Sequence, residues 1–177
     1  ADVCAATSAS FARHDDVTLS PIETIGTGQG KLYTVFTPFM KNAIGHAVSA
    51  PRKNNFSNYF SAALTTKTTS LSNFSAKTNE QLLVSGGREE ALSLLRGDYL
   101  SQYKDRRNLP AEIGTSRLSA HHKFGTLSIR ETYHHAVTVS GPHSQFVAEL
   151  YWRDFYYYIA YHFPVVFKQS FLPWPNT

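Results

Sequence analysis

The hydrophobic and polar positions change period several times along the chain, and each change predicts an element. Over residues 85–107, Leu92, Leu95, Tyr99 and Tyr103 recur at near-helical spacing, which predicts one helix with an apolar face. Glu89 and Glu90 near its start and Arg106 and Arg107 near its end suit the helix dipole, and Pro110 stops it. The stretch GTSRLSAHHKFGTLS (114–128) reads as two helix starts separated by a glycine stop. Thr115 and Ser116 are N-cap residue types, 117–124 is a short helical run, and Gly125 suits the left-handed position that ends it. Ser128 and Glu131 have the spacing of a capping box, which opens a further helix over 129–137. After Gly141 and Pro142, residues 144–163 are apolar or aromatic almost all round and predict a buried helix. Near the front, LYTVF (32–36) is β-branched and aromatic and predicts a strand ended by Pro38. Residues 17–19 predict a second short strand, and 41–48 a brief helix. No internal repeat is visible.

The last long helix carries the charges that need explaining. Burying a charge is costly unless it is paired or meets a ligand, and Glu149, Arg153 and Asp154 stand in an otherwise apolar run. Glu149, Trp152, Arg153 and Tyr156 sit at i, i+3, i+4 and i+7 and share one face. An acceptor, a flat aromatic, a cation and a phenol together suit a heteroaromatic ligand; an internal Glu149–Arg153 ion pair is the alternative. The hydroxyls of Thr115, Ser116 and Ser119, beside Arg117 at a predicted helix start, suit a phosphate. A capped helix without a ligand is the alternative there.

Composition narrows the field. The 177 residues carry a net charge of +4, a mild basic bias that permits nucleic-acid contact without demanding it. Cys4 is the only cysteine, so no intrachain disulfide and no cysteine-based zinc site is expected, and no metal site is read elsewhere. No apolar run is long enough to span a bilayer and no basic-then-apolar leader is present, so a soluble cytoplasmic or nuclear location without membrane contact is expected. TGQGK (27–31) lacks the Ser or Thr that follows the lysine of a P-loop and reads as a turn. Residues 52–77 are rich in Ser, Thr, Asn and Lys, as in a linker, and Phe56, Tyr59, Phe60 and Phe74 predict that it packs on the surface.

TSRLSAHHKFGTLSIRE resembles the flavin-pyrophosphate motif of the photolyase–cryptochrome family, in its class I branch. Three further stretches agree in order: GQGKLYTVFTPFMKNA, YKDRRNLPAEIGTSRLS with its tyrosine twelve residues before the threonine, and ELYWRDFYYYIAYHFP. The resemblance implies a mostly α fold. Residues 1–50 would be the C-terminal end of the family's α/β antenna domain, 51–84 an interdomain linker, and 85–177 the N-terminal half of the helical FAD-binding domain. It implies that Tyr103, Thr115, Ser116, Arg117, Leu118, Ser119, Phe146 and Arg153 contact FAD. It further implies that Glu149 and Trp152 meet a flipped-out pyrimidine dimer, that Arg107 and Tyr156 join them against UV-damaged DNA, and that Lys104, Arg106 and Lys123 assist with phosphates.

The implied activity is that of a deoxyribodipyrimidine photo-lyase, in which reduced FAD passes an electron under blue light to a cyclobutane dimer, with a folate or deazaflavin as antenna pigment. Departures from the family pattern are Asp154 in place of the usual glutamate, the His121–His122 pair, and Trp174, which matches no residue of the family's tryptophan chain. The resemblance covers about the middle of the family's length, so a fragment or split subunit completed by a second polypeptide is expected. A cryptochrome-like flavoprotein without repair activity and an inactive remnant are the other readings.

Overall fold

A computed structural model describes residues 6–7, 9–11, 15–52, 57, 62 and 79–171. Cys4, Trp174 and the linker aromatics Phe56, Tyr59, Phe60 and Phe74 lie outside the described residues. Among the described residues, the helices that carry the fold are α1 (Phe36–Ala43), α2 (Arg88–Leu95), α3 (Tyr103–Arg106), α4 (Ser119–Phe124), α5 (Ile129–Ser140) and α6 (Gln145–His162). Short 3-10 turns at Ile22–Thr24, Asp98–Gln102 and Pro164–Phe167 connect them. Among the described residues there is no strand, and no helix is long and apolar enough to cross a membrane.

The predicted buried helix is present as α6, capped by Ser144, whose hydroxyl accepts from the Val147 N–H. Phe146, Val147, Leu150, Tyr151, Phe155, Tyr158 and Ile159 are buried along it. α1 packs on α6 through Phe39, whose ring lies 5.2 Å from Phe155 and 5.1 Å from Tyr158. The capping box opening α5 is present, and Gly125 ends α4 in the left-handed conformation (φ 71°). Glu131 of that box also receives both terminal nitrogens of Arg88, at 2.7 and 3.1 Å, which fastens α2 to the start of α5. The Arg88 guanidinium holds the Glu131 carboxyl below its ordinary range.

Four expectations are corrected. The helix predicted over 85–107 is broken: α2 ends at Leu95, Gly97 takes extended ψ, and a 3-10 turn and α3 follow. The periodic face is real, but Leu92 and Leu95 pack with Leu118 and Leu127, whereas Tyr99 and Tyr103 pack against the main core. Residues 32–36 form no strand; the Tyr33 N–H meets the Tyr158 hydroxyl, and α1 begins at Phe36. Pro38 therefore stands in a first helical turn, where its missing N–H has no intrahelical partner to lose. The helix expected at 41–48 is accordingly shifted back. Residues 17–19 also form no strand, because their polar backbone is received by helices. Asp154 Oδ2 accepts from the Leu19 N–H at 2.7 Å, the Arg130 Nε donates to Thr18 O at 3.2 Å, and Arg153 Nη1 donates to Val17 O at 2.7 Å.

Gly114 allows a close passage. A Cβ there would lie 2.4 Å from the Arg106 carbonyl oxygen, so no side chain fits without moving backbone. Gly114→Ala is expected to cost about 1–3 kcal/mol, the usual range for overpacking, read as a lowered Tm.

The buried Asp154 and the half-buried His122 pull stability in opposite directions with pH. Burial pushes the Asp154 carboxyl up to about 7, against the donors Leu19 N–H and Arg153, so the folded chain holds that proton more tightly than the unfolded chain. Its contribution to stability is present below the ordinary value of 3.8 and is lost as pH rises through about 7. Burial, with the Arg153 charge second, pushes the His122 imidazole down to about 4, so its contribution is present above the ordinary 6.5 and is lost as pH falls through about 4. Relative to the parent, the Tm of Asp154→Asn is therefore expected to improve as pH rises from about 4 to 7. That of His122→Gln should improve as pH falls from about 6.5 to 4. Thermal melts across this range check both, and a pH-independent difference for either variant contradicts its assignment.

Candidate active site

The site is a cavity of about 340 Å³ between α3, α4 and α6. α6 supplies Phe146, Glu149, Leu150, Arg153 and Tyr157 to its wall. With about 100° per residue, these positions fall within one stripe of the helix. α4 supplies Ser119, His122 and Lys123, at i, i+3 and i+4, and Tyr103 and Ser116 complete the lining. Six of the predicted site residues, Tyr103, Ser116, Ser119, Phe146, Glu149 and Arg153, thus surround one space.

Arg153 and Glu149 are each partnered within the protein. Arg153 reaches Val17 O, contacts Asp154 Oδ1 at 3.3 Å, and lays its guanidinium 4.7 Å from the centre of the Tyr157 ring. Glu149 forms an ion pair with Arg107 and accepts from Gln145 Nε2 at 2.9 Å. The alternative Glu149–Arg153 pair is not formed, because each side chain finds a closer partner on another segment. Burial, then the Glu149 charge, raises the Tyr103 hydroxyl above its ordinary value, so it stays a neutral hydrogen-bonding group. The Tyr103 ring stands edge-on to Phe146, centroids 5.0 Å apart.

The phosphate-like motif is arranged differently from its prediction. Residues 117 and 118 lie outside α4, whose N-cap residue is Leu118, and no side chain caps it. Thr115 and Ser116 therefore cap no helix. The Ser116 hydroxyl instead accepts from the Leu118 N–H at 3.3 Å. Arg117 takes φ 54°, a left-handed conformation that costs a non-glycine residue about 1–2 kcal/mol. Thr115 and Arg117 line a second cavity of about 460 Å³, which Ser116 shares. Leu118 lines neither; it is fully buried with Ala91, Leu95 and Leu127.

Trp152 and Tyr156 also stand outside the cavity. The indole stacks on Phe36 of α1 (3.7 Å, 10°), with Tyr156 beyond it (5.8 Å, 28°) and exposed. The face predicted as one stripe is two adjoining ones, since Trp152 lies on the opposite side of Glu149 from Leu150 and Tyr157. Phe36, His122 and Tyr157 were not predicted as site residues. The signals were in the chain: His122 is one turn beyond Ser119, Tyr157 one turn beyond Arg153, and Phe36 opens the TPF run.

No family model matches the chain. The deoxyribodipyrimidine photo-lyase of Salmonella typhimurium is 33% identical over 178 residues, which cover 90% of this chain and 36% of that protein. The deoxyribodipyrimidine photo-lyase of Halobacterium salinarum is 30% identical over 176 residues, covering 89% of this chain and 36% of the relative. A bacterial class III photolyase from Agrobacterium tumefaciens has a similar structure, with a TM-score of 0.66 at 22% identity, over 91% of this chain and 38% of that one. The chain thus spans little more than a third of the length of the curated relatives it matches. The ordered motifs, the helical architecture and these relatives agree that the chain belongs to the photolyase–cryptochrome family.

Proposed function

We propose that this chain forms one wall of the FAD and lesion site of a class I DNA photolyase that splits cyclobutane pyrimidine dimers in UV-damaged DNA. The observation that carries this reading is the convergence of Tyr103, Ser116, Ser119, Phe146, Glu149 and Arg153 on one cavity. The donor set fits a dinucleotide. Hydroxyls and an ammonium (Ser116, Ser119, Lys123) suit phosphates, while Phe146, Tyr157 and the Arg153 guanidinium suit a flat polar ring. At about 340 Å³ the cavity is near the lower end of ligand pockets, so it would enclose part of such a ligand. In this reading 1–50 belong to the end of an antenna domain, and protein beyond these 177 residues would complete the pocket.

When bound, the flavin supplies the light absorption and the electron; the chain supplies position and electrostatics. Arg153, fixed by Val17 O and Tyr157, would orient the ring system from one side. Glu149 would offer a carboxylate to the edge of a base turned out of the duplex, exchanging the Arg107 or Gln145 bond for it. Trp152 would stack the extruded pair, with Phe36 holding the indole plane. Arg107, released from Glu149, would then be free for a DNA phosphate.

Flavin retention by the purified chain tests the reading. Arg153→Ala is expected to weaken FAD binding about tenfold to a hundredfold, the range of a charge-assisted hydrogen bond, measured by fluorescence quenching. Weak FAD binding by the isolated chain is expected; no quenching at any FAD concentration contradicts the cofactor assignment. Trp152→Ala is expected to leave FAD affinity near that of the parent. It should also remove most of the preference for dimer-containing over undamaged oligonucleotide, a loss of about 1–3 kcal/mol for one stacked base. A retained preference in a gel-shift comparison contradicts a lesion-binding role for this tryptophan and favours the flavoprotein without repair.

A further inference from the structure

The α4 face toward the cavity carries, besides Ser119, an imidazole and an ammonium one turn on. His122 is half-buried, and its Nε2 lies 2.8 Å from the hydroxyl of Thr132, a fully buried residue of α5. The Thr132 hydroxyl has its own acceptor in the Ser128 carbonyl at 3.4 Å. With that proton directed to Ser128 O, Thr132 Oγ1 accepts from Nε2–H, and Nδ1 is left as the ring nitrogen for a ligand.

Resting on the FAD reading above, we propose that His122 is a proton-taking contact of the bound dinucleotide: it stands neutral in the ligand-free cavity and binds the ligand's phosphate as imidazolium. Three facts support it. Ser119, His122 and Lys123 present a hydroxyl, a ring nitrogen and an ammonium from one helical face. The charged and titratable residues that line the cavity with it are Arg153, Glu149 and Tyr157 from α6, Tyr103 from α3 and Lys123 from its own helix; His121 is its neighbour on that helix, and the Thr132 hydroxyl meets it from α5. Burial, then Arg153 and His121, disfavours another positive charge while the cavity is without an anion. An anion set between His122, Lys123 and Arg153 reverses the sign of the nearest Coulomb interaction and favours the proton. The proton comes from solvent to Nδ1, and Thr132 holds the ring in both states. An arginine or lysine at this position would be charged at all times and would repel Arg153 in the ligand-free protein.

Calorimetric titration of the chain with FAD between pH 6 and 8, in two buffers of different ionisation heat, tests the proposal. The parent is expected to take up protons on binding, approaching one per FAD as pH falls, with Kd dropping by up to about tenfold per pH unit. His122→Gln keeps a nitrogen for Thr132 and removes the titration, so it is expected to bind FAD with no net uptake and a flat profile. Proton resonances of the imidazole ring give a second measure on the unaltered protein, where the His122 midpoint should rise when FAD is added. Equal uptake in parent and variant, none in either, or an unmoved midpoint with FAD bound overturns the role of His122 and leaves the FAD reading standing. Failure of the parent to bind FAD at any pH overturns both.

Discussion

The fold depends on how α6 disposes of its charges. A helix with apolar sides nearly all round enters a core only if each ionic group it carries is met by a partner. Asp154 meets the Leu19 N–H, and its neighbour Arg153 meets Val17 O, so one short segment of chain is fastened at two points to the middle of the central helix. Removing the Asp154 carboxyl would leave the Leu19 N–H without its acceptor, which for a buried donor typically costs about 1–3 kcal/mol. The same tie has a functional consequence. Adjacent residues on a helix point about 100° apart, so Asp154 turns into the core while Arg153 turns to the cavity, and the segment that satisfies the first also fixes the second.

What the sequence made legible was whatever depends on near neighbours. The Ser128–Glu131 capping box, the glycine stop at Gly125 and the limits of α6 are set by residues within one or two turns, and all three are where the pattern puts them. What it hid was set by partners far along the chain. LYTVF has strand composition, yet the Tyr33 N–H is taken by the hydroxyl of Tyr158, 125 residues away. Residues 85–107 have a continuous helical face, yet its two halves belong to different apolar clusters, and the break at Gly97 lets each turn to its own. A Cβ at Gly97 would stand 3.1 Å from Leu94 O and 3.2 Å from the Tyr99 ring, so a side chain there would press on both neighbours.

The site follows the same division. Residue types alone marked Glu149, Arg153 and the hydroxyls of the TSRLS run, and the family resemblance put Phe146 with them. Neither showed that Arg107, 42 residues away, would pair with Glu149. That pairing changes the meaning of both residues. The carboxylate proposed to read a base edge and the arginine proposed to hold DNA are each satisfied by the other in the protein alone, so engaging either with nucleic acid releases its partner.

The left-handed step at Arg117 explains how one short run can border two cavities. Had 115–119 been the first turn of a helix, Thr115, Ser116 and Ser119 would have stood along one face and served a single anion. With φ positive at Arg117 and Leu118 in the apolar cluster, Ser116 and Ser119 do not continue one helical turn. Thr115 and Arg117 then line the larger cavity, Ser119 lines the smaller, and Ser116 borders both. Gly114 permits this by letting the chain pass against the Arg106 carbonyl, and burial of Leu118 anchors the far side. Backbone strain of this kind persists only where surrounding packing over-determines it. Here the packing is apolar and lies behind the site, and the Ser116 hydroxyl adds to it by accepting from the Leu118 N–H.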